Sequence, residues 1–224
     1  GYALYTYDNN HNYTQAYYGT HVAGDITSPG SVTSITAQHD DEALVPGVSL
    51  SWNNPQVVEN DYRGFVIIRS TAPGVNWNEN NAMDGYNSPD GYAVGTDIIK
   101  QVGGEDKSGT VIYKYTYTDG DTVPTSLTDK GDKVVVDGTE YDTDPETDIN
   151  LVNGTTYYYT IYRFDEYPNY SVNSPEGNSY AGDITPSRPV ENFSAKSTYK
   201  GTKPGIEVSW DNPESQHSDF KGFI

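Results

Sequence analysis

The segment 151–164 reads LVNGTTYYYTIYRF, and it carries a clear structural signal. Its side chains alternate in character, so that Tyr157, Tyr159 and Ile161 share one face of an extended chain. Threonine, tyrosine and isoleucine favour strands, and the Asn-Gly pair at 153–154 favours a turn before them. The segment therefore predicts a turn followed by a long β-strand.

The same alternation continues elsewhere in the chain. Val48, Leu50 and Trp52 face one way with serines between them, and this strand is expected to end at 53–55 because proline cannot donate to a ladder. Residues 64–69 are apolar on both faces, which predicts a central strand covered on both sides. Helical periodicity is nearly missing, and short alternating runs separated by Gly, Pro, Asn and Asp predict an all-β sandwich.

One passage of the sequence occurs twice. Residues 51–55, SWNNP, return as SWDNP at 209–213, an offset of 158 (209 − 51). Near the N-terminus, residues 4–8, LYTYD, align with IYRFD at 161–165, an offset of 157 (161 − 4). Self-similarity at a fixed period predicts a tandem array in which each repeat is one folded unit.

A second repeated motif, AGDIT at 23–27 and 181–185, sets the predicted boundaries. Residues 1–26 are predicted to be the C-terminal strands of a preceding repeat. Residues 27–184 are predicted to be one complete repeat, and residues 185–224 the N-terminal strands of the next.

Four features in a fixed order resemble the fibronectin type III domain. Ser51-Trp52 with its following proline is similar to the tryptophan of the second strand, and residues 64–67 are similar to the third strand. Leu151, six residues before Tyr157, resembles the start of a tyrosine corner, and residues 165–171, DEYPNYS, resemble the loop between the sixth and seventh strands of secreted bacterial versions. The resemblance implies an immunoglobulin-like β-sandwich in tandem repeat, and this superfold does not by itself imply a function.

The predicted unit is larger than a typical domain of this type, which has about 100 residues. The extra residues fall between the third strand and the tyrosine corner, as an acidic insert at about 71–148. Within this insert the sequence predicts short strands at 92–94, 111–117 and 133–136, and Asp-Gly hairpin turns at 119–120 and 137–138.

The composition of the chain argues against several classes of function. Thirteen Lys and Arg stand against 32 Asp and Glu, a net charge of −19, so the chain lacks the basic footprint that nucleic acid or an anionic membrane surface requires. No run approaches the roughly 20 apolar residues of a membrane span, so no membrane insertion is expected in this segment. Cysteine is absent, which excludes disulfides and leaves the redox compartment undetermined. Abundant tyrosine (21), together with heavy use of Asn, Asp, Thr and Gly, favours an exposed β-rich surface protein.

Nothing in the sequence points to catalysis. The four histidines are scattered without metal-ligand spacing, and no nucleophile elbow or phosphate-binding glycine loop occurs. We therefore expect that the chain is not an enzyme and needs no certain cofactor.

Calcium binding is the more specific of two hypotheses for the acidic insert, because hard cations bind carboxylate and carbonyl oxygens. Asp142, Asp144, Glu146 and Asp148 offer acidic side chains at alternate positions and are the leading candidates. A group around Asp119, Asp121, Asp129 and Asp132 is a second candidate, and Asp84 with Asp90 a third. The alternative is a solvated acidic loop that keeps long arrays soluble.

Glycan attachment is a further hypothesis. Asn12 and Asn169 begin Asn-x-Ser/Thr sequons at equivalent positions of successive repeats, and Asn153 and Asn192 begin two others. The loop that contains Asn12 or Asn169 is expected to be exposed, whereas Asn153 is expected to lie in a tight turn.

Several tyrosines admit two interpretations. Tyr158 and Tyr162 fall on the face of their strand opposite to Tyr157. They are expected either to stack on sugars or on a neighbouring subunit, or to lie beneath the long insert of the same domain.

The sequence predicts a structural repeat module of an extracellular or cell-surface protein, such as a fibre, stalk, surface layer or adhesin. Its expected partners are copies of itself, because neither predicted end fragment closes a core alone and open sheet edges favour strand addition. Glycans are possible partners. The alternative is a spacer or carbohydrate-binding accessory module of a secreted multidomain enzyme, and a virion surface protein is a third interpretation.

Overall fold

A computed structural model describes residues 2–19, 25–39, 46–55, 60–84, 92–143, 150–182, 189–212 and 222. These described residues are essentially all-β, apart from one 3₁₀ turn at Glu79–Asn81. The strands are β1 Tyr2–Leu4, β2 Tyr17–Gly19, β3 Ser34–His39, β4 Val48–Asn53, β5 Tyr62–Ser70, β6 Asp97–Val102, β7 Glu105–Thr116, β8 Ser126–Asp129, β9 Lys133–Val136, β10 Thr139–Asp142, β11 Thr156–Asp165, β12 Glu176–Tyr180, β13 Glu191–Lys200 and β14 Lys203–Asp211.

The strands form two five-stranded and two two-stranded antiparallel sheets. One large sheet has the order β10-β9-β8-β4-β3, and the other has the order β12-β11-β5-β7-β6. Strands β1 and β2 pair with each other, as do β13 and β14. The prediction of an all-β chain is confirmed.

A hydrophobic core lies between the two large sheets, which gives the molecule a sandwich-like character. Val48, Leu50 and Trp52 of β4 point into this core while the residues between them are exposed, so the predicted alternation is confirmed. Tyr159 and Ile161 of β11 enter the same core from the opposite sheet. The period-two pattern of each strand is what allows one face to be buried while the other meets water.

The second large sheet is covered on both faces. Its outer face packs against residues 72–84 and Tyr92, and Trp77 and Met83 belong to the second core that forms there. Tyr162 lies in this core fully buried, and its hydroxyl accepts a hydrogen bond from the Trp77 amide at 2.9 Å. Strand β5 is therefore apolar on both faces, as predicted, and Tyr162 lies beneath the insert of its own domain.

The described strands of the predicted acidic insert are divided between the two large sheets. Its strands β6 and β7 extend the second sheet, and β8, β9 and β10 extend the first. The hairpin predicted at 137–138 joins β9 to β10, with positive φ at both Asp137 (49°) and Gly138 (80°). The turn at 119–120 instead lies on the connection between β7 and β8, which belong to different sheets, so the hairpin predicted there is wrong.

The strand predicted at 92–94 is also wrong. Tyr92 is buried in the second core, and its N–H donates to the Tyr170 hydroxyl at 2.9 Å. A tyrosine that packs on a sheet face produces the same local pattern as one within a sheet, so periodicity alone does not separate the two cases.

The turn before β11 closes as the sequence predicts. The Tyr157 hydroxyl accepts a hydrogen bond of 3.0 Å from the Val152 N–H, five residues upstream. This contact ties the turn to the first residues of β11, and Leu151 is buried beside it in the core between the sheets.

Candidate functional site

The leading calcium candidates fall mostly outside the described residues. Asp142 ends β10, where it is exposed and pairs with Lys133 in the ladder. Asp144, Glu146 and Asp148 lie outside the described residues. Calcium binding by this run therefore stays a prediction.

Asp129, part of the second calcium candidate, has protein partners instead. It is fully buried, and both of its carboxylate oxygens lie near one guanidinium nitrogen of Arg69, at 2.9 and 3.1 Å. Tyr159 donates its hydroxyl to the same carboxylate at 2.9 Å. Because Arg69 comes from β5 and Asp129 from β8, the group links the two sheets through the core, and its charge is already matched.

Three acidic side chains that sequence reasoning missed meet at one end of the sandwich. Asp25 precedes the first core strand, Asp61 lies just before β5, and Asp165 ends β11. One carboxylate oxygen from each lies within 4.8 Å of the others. Among the described residues this is the group that could hold a metal ion, although an acidic cluster is not by itself evidence of one.

Two carboxyl groups of this cluster have pKa values shifted in opposite directions, chiefly by hydrogen bonds. The pKa of Asp61 is raised, first by its hydrogen bond with the Asp25 carboxyl and then by burial. The pKa of Asp25 is lowered, first by the hydrogen bond from the Thr27 N–H and then by the contact with Asp61. A hydrogen bond in which the protonated Asp61 carboxyl donates to Asp25 accounts for both directions.

Asp165 of this cluster also begins a loop, 165–169, with a defined hydrogen-bond pattern. Asp165 Oδ1 accepts the N–H groups of Tyr167 and Asn169, both at 2.9 Å. Asp165 Oδ2 accepts a hydrogen bond from Asn169 Nδ2 at 2.7 Å. The loop 165–169 is therefore closed by the aspartate that begins it.

The loop 8–12 has the same pattern. Asp8 Oδ1 accepts the N–H groups of Asn10 (2.8 Å) and Asn12 (3.0 Å), and Asp8 Oδ2 accepts from Asn12 Nδ2 at 2.8 Å. Bridges between Tyr7 and Tyr13, and between Phe164 and Tyr170, flank the two loops at an offset of 157 (164 − 7). Two stretches with related sequences thus form one local structure.

The two predicted glycan acceptors differ in exposure. Asn12 is exposed, whereas Asn169 is 8% exposed and uses its side-chain nitrogen in hydrogen bonds to Asp165 and to the Asp25 carbonyl. Asn12 also donates its side-chain nitrogen, to Asp8, so it is greater exposure that favours Asn12 over Asn169 as an acceptor. Modification of either residue stays a prediction.

Sequence could have indicated the acidic cluster only through the repeat. Asp25 and Asp61 have aspartates 158 residues later, at 183 and 219 (183 − 25 and 219 − 61), and Asp165 has one 157 residues earlier at Asp8. The recurrence of these aspartates distinguishes them from other acidic residues, but it does not predict that the three lie close together in the fold.

Comparison with protein-family models, curated proteins and solved structures finds no match for this chain. Among the described residues, no helix has the length and apolar character that a membrane-spanning helix requires.

Proposed function

We propose that this chain is a segment of an extracellular or cell-surface tandem array whose role is structural, as in a fibre, stalk, surface layer or adhesin. The observation that carries the proposal is the loop formed twice, at 8–12 and at 165–169, with the same hydrogen bonds. A local structure repeated about one unit length apart is what a repeat protein requires. Copies of the same protein are the proposed partners.

The unit of the proposed array is a fibronectin type III-like sandwich. Strands β3, β4 and β8 share one sheet, and β5, β11 and β12 share the other. This division agrees with the first, second and fifth strands, and the third, sixth and seventh strands, of an immunoglobulin-like domain. The Tyr157 hydroxyl contact supports the same assignment.

Electron microscopy of the native material, in calcium and in a chelator, tests the proposed function. Ordered filaments or sheets with an axial repeat of a few nanometres support a self-assembling structural array. Flexible beads on a string, or monomers, contradict self-assembly and leave a spacer or carbohydrate-binding accessory module in its place.

Calcium binding by the run from Asp142 to Asp148 belongs to this proposal. Titration calorimetry with calcium chloride on the whole chain tests it, because a carboxylate site binds with a measurable heat. The expected result is binding that is lost in the Asp142→Asn/Asp144→Asn double variant and kept in Asp61→Asn. Binding lost only in Asp61→Asn assigns the ion to the other cluster, and a wild-type chain that binds no calcium removes calcium from the proposal.

A further inference from the structure

The segment that leads into the sandwich, Asp25–Gly30, follows a defined path along one end of it. Its Pro29 is buried, and three residues further on Val32 is buried in the core between the sheets. Ile26, in contrast, is exposed. The path is therefore anchored at its C-terminal side by apolar burial, and its N-terminal side needs other contacts.

Two side chains from the opposite sheet supply such contacts to carbonyl groups of the segment. Arg163 of β11 donates from its guanidinium to the Gly30 carbonyl at 2.7 Å. Asn169, in the loop after β11, donates from Nδ2 to the Asp25 carbonyl at 3.2 Å. The segment is thus held at both of its ends by residues more than a hundred positions away in sequence.

Arg163 is itself held in place. It is almost completely buried, and its guanidinium carbon lies 4.3 Å from the centre of the Tyr62 ring. Its backbone N–H donates to the Ser171 hydroxyl at 3.1 Å. An arginine stays charged at all ordinary pH values, so its hydrogen bond to Gly30 is of the stronger, charge-assisted kind.

Asn169 is fixed in the same way. Its side chain donates to Asp165 as well as to Asp25, and its own N–H is bound by Asp165. Its counterpart in the first loop, Asn12, makes the same contact with Asp8. Position 163 differs between the two copies, since its counterpart is Thr6, so the arginine contact is specific to the sandwich that residues 25–182 build.

We propose that Arg163 and Asn169 form a linker clamp, which fixes Asp25–Gly30 against the end of the sandwich and sets the direction from which the preceding chain enters. The clamp itself is independent of the proposed function. Its consequence for an array, a fixed angle at each junction of this kind, rests on that function. A rigid junction lets a chain of domains transmit orientation, whereas a free linker lets each domain turn independently.

Limited digestion by proteinase K tests the clamp, with the cuts mapped by mass spectrometry. In the wild-type chain, residues 25–33 are expected to resist cleavage while the exposed turn at 103–104 serves as an internal reference. Arg163→Met removes the donor but keeps an unbranched apolar side chain, and its free energy of unfolding is measured in parallel because removing one partner of a buried charged contact is destabilising. Loss of a charge-assisted hydrogen bond is expected to speed cleavage within 25–33 by about tenfold.

Two further variants make the result specific. Arg163→Lys keeps the charge and one donor and is expected to give intermediate protection. Ile161→Val lowers global stability from the same strand without touching the linker contacts, so it is expected to leave the rate at 25–33 close to that of the wild type. Cleavage that rises equally in Ile161→Val and Arg163→Met, or that is already fast in the wild type, overturns the clamp.

A spin-label measurement keeps the proposal testable if Arg163→Met fails to fold. The chain has no cysteine, so Ile26→Cys and Ser126→Cys provide two unique labelling sites at exposed positions. Pulsed dipolar spectroscopy on this pair is expected to give one narrow distance distribution, which widens when Asn169→Ser is added. A broad distribution in the starting pair contradicts the clamp.

Discussion

The hairpin of β3 and β4 and the hairpin of β13 and β14 have nearly the same sequence pattern but different surroundings. In β4, Val48, Leu50 and Trp52 are 0%, 2% and 4% exposed. In β14, the residues 158 positions later, Ile206, Val208 and Trp210, are 74%, 49% and 40% exposed.

The pairing is the same over residues 36–39 with 48–51 in the first hairpin and 194–197 with 206–209 in the second, whereas a register shift between Glu191 and Ser194 interrupts only the second. Ala37 lies opposite Leu50 in one hairpin, and Ala195 lies opposite Val208 in the other. Strand pairing and register therefore follow from the local sequence, whereas burial depends on the second sheet that covers β4. An amphipathic hairpin specifies which face is apolar but not what covers that face.

The largest expected difference between the hairpins is the cost of removing their tryptophans. Trp52→Ala is expected to lower the free energy of unfolding by about 3–5 kcal/mol, because it leaves a cavity in a filled core. Trp210→Ala is expected to lower it by less than about 1 kcal/mol, because that side chain already meets water. Urea titrations followed by circular dichroism measure both values.

Equal losses in the two variants would contradict this comparison. They would mean that the apolar face of β14 is covered in solution, for example by another copy of the chain. Sedimentation at several concentrations distinguishes that case, since association makes the apparent stability depend on protein concentration.

The two aspartate loops, 8–12 and 165–169, also share one local structure but differ in burial, and the expected difference in stability is smaller. Asp165 is fully buried and Asp8 is exposed, although each accepts three hydrogen bonds of the same kind. Asp165→Ala is expected to cost about 1–3 kcal/mol, because the donors it leaves are shielded from water. Asp8→Ala is expected to leave the free energy of unfolding nearly unchanged, because water replaces the carboxylate of this exposed side chain. The same urea titrations measure the pair, and equal costs would show that burial does not control the value of these hydrogen bonds.

Much of the fold could be predicted from the sequence because its signals are local. Alternation identified the buried face of β4, the run at 64–69 identified a strand covered on both sides, and Asp137-Gly138 identified a hairpin. The spacing of Leu151 and Tyr157 identified the turn before β11. Each of these features depends on residues only a few positions apart.

The rest depends on long-range contacts that a single sequence does not report. Tyr92 fits a strand pattern but packs on the outside of a sheet, because Trp77 and Met83 form a core there. The acidic cluster joins Asp25, Asp61 and Asp165 from three separate segments, and no local motif indicates their proximity. Sequence reasoning therefore placed the candidate metal site in the densest acidic run, at 142–148. The cluster found in the structure is instead built from aspartates that are far apart in sequence.

The smallest expected effect concerns the pH dependence of stability, and it distinguishes the half-buried Asp61 from the exposed Asp8. The pKa of Asp61 is raised above its ordinary 3.8, first by the Asp25 carboxyl and then by burial. A raised pKa means that the folded chain holds the proton more firmly, so the contribution of Asp61 to stability is complete below pH 3.8 and is lost as the pH rises through the raised value. Asp61→Asn mimics the protonated form and is expected to remove this decline, giving a higher midpoint of thermal unfolding than the wild type at neutral pH.

Asp8→Asn is the matched control for this pH effect. The pKa of Asp8 is lowered, first by the Asn12 side chain, so its contribution is present above pH 3.8 and is lost as the pH falls through the lowered value, the opposite sign. Thermal unfolding of the wild type and both variants from pH 3 to pH 8 compares the two positions. If the Asp61→Asn curve runs parallel to that of the wild type, Asp61 and Asp25 do not share a proton in solution. If instead the two variants diverge from the wild type in opposite directions, Asp61 and Asp8 contribute to the pH dependence with opposite signs, as their different hydrogen-bond partners require.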